Sequence, residues 1–212
     1  MNYPILMADI VESRKKDSTL LMSNFKTLVD KINNQWKNQL TSPLTITLGD
    51  EFQGIINTMG NAIEIIFQIE EEIIQNEWGF KLRFVLNYGE IETPINKKNA
   101  YEMLGDGLTE SREKLNQSKS NKNRFIIMLN NNLKAQQILS DLFLIYQFYI
   151  DSWKINDYYI VKEFLLNKSY QEVAEALNLN VSSAWRRYKS LNIEEYTTCK
   201  RLFTNFNTVL NV

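Results

Sequence analysis

The alternation of strand-like and helix-like apolar patterns in the N-terminal half most constrains how this 212-residue chain can fold. Nearly continuous apolar runs predict buried strands, whereas apolar positions that recur at a spacing close to 3.6 predict helices packed on a sheet. The predicted segments are, in order, a strand at 3–12, a helix at 18–39, a hairpin at 44–56, a helix at 62–74 and a strand at 81–88. The chain therefore begins β-α-β-β-α-β.

This order is that of a ferredoxin-like arrangement, in which an antiparallel sheet carries helices on one face. A short helix is predicted at 108–117 and a last strand at 124–129, and the rest of the chain has helical patterns. We expect an α+β fold: a ferredoxin-like palm domain at 1–130, a connecting helix at 131–152 and an all-α helix-turn-helix module at 153–212.

Acidic residues stand at two points of the predicted sheet. Asp9 ends the first strand, and Asp50 and Glu51 are expected at the tip of the hairpin. Two carboxylates on adjacent strands can hold Mg²⁺ or Mn²⁺ and leave positions for water and phosphate oxygens. The alternative is that Asp50 and Glu51 only make a polar turn and that Asp9 only ends its strand.

Composition excludes several kinds of site. The chain has no histidine, which removes Ser-His and Cys-His nucleophiles, imidazole bases and zinc sites that use histidine. The formal charge of −1 gives no overall attraction to nucleic acid. The single cysteine, Cys199, is expected in the core of a protein from a reducing compartment. With no signal-like start and no membrane-length apolar stretch, we expect a cytoplasmic protein without membrane contact.

The C-terminal part has the pattern of a helix-turn-helix. Ser169 and Glu172 have capping-box spacing, and residues 178–180 predict a turn. The next helix is expected to turn Ala184, Trp185 and Tyr188 inward. That helix would present five polar or cationic side chains to DNA phosphates and base edges. They are Ser182, Ser183, Arg186, Arg187 and Lys189. The alternative is a packing or dimerisation module whose cations are only solvated.

Four segments in shared order resemble the class III nucleotide cyclases, and one of them also resembles the GGDEF diguanylate cyclases. They are Ala8–Val11, Leu48–Asp50 with the following Glu51-Phe52, Arg83–Glu90, and Leu104–Leu108 with Ser111-Arg112. The resemblance implies a nucleoside triphosphate or dinucleotide as ligand and Mg²⁺ or Mn²⁺ held by Asp9 and Asp50. It also implies the following roles: Ser13, Arg14 and Gly49 as nucleotide contacts, Glu51 as a support or base, and Arg112 as a phosphate-facing cation.

The chain departs from the cyclases in the helix after Gly105. Cyclases carry an Asn and, four residues later, an Arg that steady the transition state, and the corresponding positions here are Thr109 and Glu113. Arg112 is one position away. Either Arg112 still reaches phosphate, or turnover is slow or absent, since loss of such charge costs about 3 to 4 kcal/mol. Cyclase-like palms often build the site between two subunits, so a homodimer is a further expectation.

Nearly the whole chain resembles the SatD family. The resemblance rests on the opening run Tyr3–Arg14, on Leu44–Gly54 and on the C-terminal helix pattern. It implies the two-part architecture and a bacterial source. We expect a metal-dependent nucleotide-binding palm coupled to a DNA-binding helix-turn-helix. The alternatives are an active nucleotidyl cyclase or oligonucleotide synthase, and a DNA-binding regulator whose palm serves only for dimerisation.

Overall fold

The computed structural model describes residues 1–13, 18–130, 132–166 and 168–210. The strands are β1 (Asn2–Ile10), β2 (Leu40–Ile46), β3 (Glu51–Ile56), β4 (Leu82–Glu90) and β5 (Phe125–Met128). The helices are α1 (Ser18–Gln35), α2 (Met59–Gln75), α3 (Asp106–Gln117), α4 (Leu133–Ser152), α5 (Tyr158–Leu165), α6 (Tyr170–Ala176), α7 (Val181–Ser190) and α8 (Ile193–Leu210). The predicted β-α-β-β-α-β beginning and the α+β class are confirmed.

The five strands form one mixed sheet in the order β2-β3-β1-β4-β5. The neighbours β2/β3, β3/β1 and β1/β4 are antiparallel, and β4/β5 are parallel. Side chains of β1 alternate between the two faces of the sheet, as strand geometry requires. Leu6 and Ala8 belong to one core cluster, and Ile5 and Met7 to the other.

Helices cover both faces of the sheet, which differs from the single covered face that we predicted. The larger core cluster lies between the sheet and the helices that include α1, α2, α4 and α8. On the opposite face, α3 packs on β4 and β1 through Leu108 and Leu115. The reason is topological, because the parallel strands β4 and β5 need a crossover connection, and α3 supplies it.

The core continues across residue 130, where we predicted a domain boundary. The predicted connecting helix is present as α4, and its side chains Phe143 and Tyr146 are fully buried. Phe143 stacks on Phe125 of β5 at 5.0 Å between ring centroids, and it contacts Phe203 of α8 at 4.7 Å. The division into domains stays a prediction, but α4 packs in the core as well as connecting the two parts of the chain.

Two smaller expectations can be compared directly with the structure. Cys199 is buried, as predicted for a core residue. In the part of the chain that the structure describes, no helix has the length and apolar character needed to cross a membrane.

Candidate functional site

One end of the sheet carries a row of charged side chains across three strands. The β1–β3 register places Asp9 opposite Glu51, and the β1–β4 register places Asp9 opposite Arg83. Because side chains alternate along each strand, all three point to the face that α3 covers. Their exposed fractions are only 4 to 5%. The row Glu51–Asp9–Arg83 is therefore largely shielded from water.

Asp9 is neutralised by cations of the chain itself. The Arg83 Nη1 atom lies 2.9 Å from Oδ1 and 3.2 Å from Oδ2 of Asp9, and the Lys119 ammonium lies 3.9 Å from Oδ2. Burial raises the pKa of the Asp9 carboxyl to about 6, although Arg83 and Lys119 lower it and the nearby Asp50 and Glu51 raise it. The effect of burial thus outweighs that of the two cations, and Asp9 takes up a proton at a higher pH than an ordinary aspartate does.

The hairpin tip brings two more predicted residues to the same place. The Ser13 hydroxyl donates to the Asp50 carboxylate at 2.6 Å, and the Ile10 amide donates to the Asp50 carbonyl at 3.0 Å. Gly49 has a φ of +83°, a left-handed conformation that glycine adopts with little strain. Arg14, the remaining predicted nucleotide contact, lies outside the described residues.

Glu51 does not lie at the hairpin tip, where we predicted it. It is the first residue of β3 and is buried. Its carboxylate accepts from the Thr47 hydroxyl at 2.9 Å and pairs with the Arg112 guanidinium at 3.0 Å. The tip is too short to include Glu51, because β3 already begins to pair with β1 at that residue.

Arg112 connects α3 to the acidic row. Besides its ion pair with Glu51, it donates from Nη2 to the Gln53 side-chain oxygen at 2.8 Å. Thr109 and Glu113, where the sequence resemblance predicts the cyclase Asn and Arg, line a groove of about 410 Å³ between α3 and residues 101–103, and Arg112 and Gln53 line the same groove. Arg112, one residue before Glu113, is therefore the side chain of α3 that contacts Glu51 on the sheet.

Arg83 was not predicted at this site, and Lys119 was expected only as a solvated loop cation that could approach phosphates. The apolar pattern around Arg83 predicts a strand but not which residues face it on the next strand. Its pairing with Asp9 depends on the register between β1 and β4. Lys119 lies in a 3-10 turn after α3 that reads as a polar loop in the sequence. The available signals were a cation at each position and, for Arg83, its place in a segment that resembles the cyclases.

A hard divalent cation is compatible with the donors present here. Asp9 and Asp50 supply carboxylate oxygens, and Mg²⁺ commonly takes only one or two carboxylates and completes its shell with water and phosphate oxygens. Among the described residues, no three acidic, cysteine or histidine side chains are grouped to hold a metal ion by themselves. A cation at Asp9 would share that carboxylate with Arg83 or displace it.

The predicted DNA-contacting residues lie on and around the exposed side of α7. The capping box of α6 is present, since Ser169 and Glu172 bond reciprocally to each other's backbone amides. Asn178 has a positive φ of 51° in the turn, and the Asn180 side chain caps α7 by accepting from the Ser183 amide. The two helices and the turn thus begin and end near the predicted residues.

Not all five predicted DNA contacts share one surface. Ser182, Arg186 and Lys189 are exposed at helical spacing, whereas Arg187 pairs with Asp157 and Ser183 is half-buried. Lys189 pairs with Glu194 at 2.8 Å. Our prediction that Trp185 points inward is wrong, because it is 47% exposed. Ala184, which the same pattern also predicts to point inward, is fully buried as expected.

Several solved structures are similar in shape to part of the chain. A bacterial light-regulated adenylyl cyclase is 15% identical with a TM-score of 0.46, over 59% of this chain and 74% of that one. The catalytic core of a rhodopsin-guanylyl cyclase with converted specificity, in complex with ATPalphaS, is 17% identical with a TM-score of 0.39, over 53% and 72%. The guanylate cyclase domain of RhGC from Catenaria anguillulae, in complex with GTP, is 16% identical with a TM-score of 0.37, over 52% and 70%.

No curated protein matched the chain. The sequence model of the SatD family matches residues 3–206. Since that match covers almost the entire chain, this protein belongs to the SatD family.

Proposed function

We propose that the protein binds the phosphate groups of a nucleotide, together with Mg²⁺ or Mn²⁺, at the end of the sheet that carries Asp9 and Asp50. The observation that supports this most is the convergence of residues from distant segments at one place. Ser13 bonds to Asp50, Glu51 lies opposite Asp9, and Arg112 reaches Glu51 from α3. The carboxylates there can bind a divalent cation, and the cationic side chains can bind phosphate oxygens.

In this proposal the carboxylates bind the metal ion, and the cationic and polar groups bind the phosphates. Asp9 and Asp50 would hold the cation, which would supply charge neutralisation to the phosphates. Lys119, exposed over 57% of its side chain, can reach phosphate oxygens from the edge of the site. The backbone at Gly49 would donate to the same groups, and so would Ser13 when its hydroxyl leaves Asp50. Arg112 would act as a phosphate-facing cation when it leaves Glu51. Glu51 would then support the cation or accept a proton.

The test is thermal stability of the full chain with nucleoside triphosphates or dinucleotides, in Mg²⁺, Mn²⁺ or chelator. Binding to the folded state adds about 2.7 kcal/mol of stability when the ligand is at about 100 times its Kd. We expect this gain in the wild type, and its loss with chelator and in Asp50→Asn. Asp30→Asn, an exposed acid on α1, is the matched control and should keep the gain. A gain that survives in Asp50→Asn contradicts the proposal.

The same samples decide between binding and catalysis. Thr109 and Glu113 stand where cyclases have their transition-state pair, and Arg112 is held by Glu51 and Gln53. We therefore propose binding rather than rapid turnover. Pyrophosphate release that depends on Asp9 and Asp50 would instead identify a nucleotidyl cyclase or oligonucleotide synthase.

We further propose that α6 and α7 form a DNA-binding helix-turn-helix whose occupancy responds to the nucleotide. The supporting observation is the exposed arc of α7, where Ser182, Trp185, Arg186 and Lys189 lie at helical spacing. An arc of this kind suits a helix that enters the major groove. The second helix of such a motif contacts both phosphates and base edges.

Fluorescence anisotropy with duplex DNA over a range of salt concentrations tests this proposal. Arg186→Ala should weaken binding and lower the salt slope by about one unit if Arg186 neutralises one phosphate. Lys97→Ala removes an exposed cation elsewhere and should leave both unchanged. Equal binding by wild type and Arg186→Ala would exclude α7 as the contact. Nucleotide with Mg²⁺ should alter the wild-type affinity but not that of Asp50→Asn.

A further inference from the structure

The outer face of α4 and α8 is unusually apolar for a surface exposed to water. Phe148 is 67% exposed, Leu144 56%, Ile145 46% and Leu202 46%, and we call these four residues the α4–α8 face. The opposite side of α4 is also apolar and packs in the core. The exposed polar residues Lys134, Gln137 and Asp141 lie in the first half of α4, so the apolar outer face belongs to the second half. Large exposed apolar patches commonly mark contact surfaces.

The shape of this face combines a ridge with hollows. Phe148 stands on the outward side of α4. A groove of about 370 Å³ lies between α4 and α8, lined by Ile145, Tyr149 and Leu202 among others. A second groove of about 390 Å³ lies on the other side of the ridge, beside Leu144 and Phe148. A two-fold interface needs a surface that complements itself, and adjacent ridges and grooves meet this condition.

The charges on α8 point to a second copy of the chain rather than to an unrelated partner. Glu195 and Arg201 are both exposed, and Thr198 lies midway between them. If two α8 helices pack antiparallel about Thr198, Glu195 of each chain faces Arg201 of the partner subunit. Opposite charges then meet twice across the two-fold axis. Glu194, the neighbouring acid, is already paired with Lys189 within the chain.

We infer that the α4–α8 face is the interface of a two-fold homodimer. The two helices contain 20 and 18 residues, so they are about 30 and 27 Å long. A standard protein–protein interface buries about 800 Å² on each partner. Two helices of this length, packed side by side, expose a surface of about that size. The α3 face with Asp9 and Glu51 lies on the other side of the sheet and stays open in both subunits.

The first experiment is light scattering coupled to size-exclusion chromatography on the full chain over a wide range of concentration. We expect twice the monomer mass for the wild type, and the monomer mass for Phe148→Glu. Leu20→Glu, which changes an equally exposed leucine on α1, should stay dimeric. Circular dichroism of each variant checks that it is folded. A wild type that stays monomeric at every concentration, or a dimer that Phe148→Glu leaves intact, overturns the inference.

Charge reversal keeps the inference testable even if Phe148→Glu does not fold. Each of Glu195→Arg and Arg201→Glu places like charges together twice, and each should raise the dimer dissociation constant about tenfold, a change of about 1.4 kcal/mol. The double variant restores opposite charges and should return to the wild-type value. Equal constants in the wild type, the single variants and the double variant would contradict the antiparallel α8 contact. Only a partner that carries the same two residues can show the restoration.

Discussion

The Asp9 carboxylate and the Arg83 guanidinium form a buried ion pair between neighbouring strands. Both side chains are only 6% exposed, and the Arg83 Nη2 atom also donates to the Lys119 carbonyl at 3.2 Å. The Arg83 Nε atom is buried and has no hydrogen-bond partner among the residues that the structure describes. A buried pair of this kind is costly to break from one side only, because the remaining charge is left without compensation.

We expect Arg83→Met to lower the free energy of unfolding by about 3 to 5 kcal/mol at neutral pH. The Asp9 pKa is already raised above its ordinary value, so its protonated form favours the folded state. Removal of Arg83 raises this pKa further, and the loss of stability should therefore shrink as the pH falls from 8 to about 5. Urea unfolding at several pH values measures this.

Arg83→Lys is the control for the loss of charge. It keeps a cation beside Asp9 and should lose less stability than Arg83→Met, with a weaker dependence on pH. If Arg83→Met is as stable as the wild type at pH 8, the ion pair makes no net contribution there.

The helix α3 lies unusually close to the sheet, and this closeness positions Arg112. A Cβ atom built on Gly107 would lie 2.6 Å from the Gly89 carbonyl carbon. This distance is far shorter than van der Waals contact allows. The buried Asn87 side chain donates to the Gly107 carbonyl at 3.0 Å and to the Ser111 hydroxyl at 3.1 Å. Two glycines and one amide therefore hold α3 against β4.

We expect Gly107→Ala to destabilise the protein by about 1 to 3 kcal/mol, although alanine favours helix more than glycine does. The methyl group would push α3 away from β4 and weaken the Arg112–Glu51 ion pair. Chemical denaturation measures the first effect. In Gly79→Ala the new methyl meets the flexible end of Ile155 at 3.1 Å, so a smaller loss is expected there. Equal losses in the two variants would show that the α3–β4 approach is not tight.

At the scale of the whole molecule, the larger of the two core clusters joins the sheet to the C-terminal helices. Phe67 of α2 contacts Tyr146 of α4 at 4.8 Å and Phe203 of α8 at 5.0 Å between ring centroids. The Tyr196 hydroxyl donates to Glu71 at 2.8 Å, which adds a polar contact between α8 and α2. The palm and the helical part therefore share buried surface.

We expect the full chain to unfold in one cooperative transition, because neither part can open without exposing the shared aromatic core. Calorimetry should give equal calorimetric and van't Hoff enthalpies. Near- and far-ultraviolet circular dichroism should give coincident curves. Two separate transitions would instead support independent domains on either side of residue 130.

Local chemistry was sufficient to predict much of the chain. Periodicity placed the strands and helices, since it depends only on neighbouring residues. The capping box at Ser169 predicted the start of α6. Asp9 and Asp50 were chosen as candidate ligands because one ends a predicted strand and the other lies at a predicted hairpin tip. Their convergence required only that adjacent strands pair in the expected order.

Tertiary structure alone decided the remaining features, because each depends on how distant segments meet. Strand register paired Asp9 with Arg83 and drew Glu51 away from the hairpin tip into β3. The parallel crossover put α3 on the second face of the sheet, and packing turned Trp185 outward although its helical pattern predicted it inward. Local patterns contain neither register nor packing partners, so the sequence by itself determined the elements and the tertiary structure determined the site.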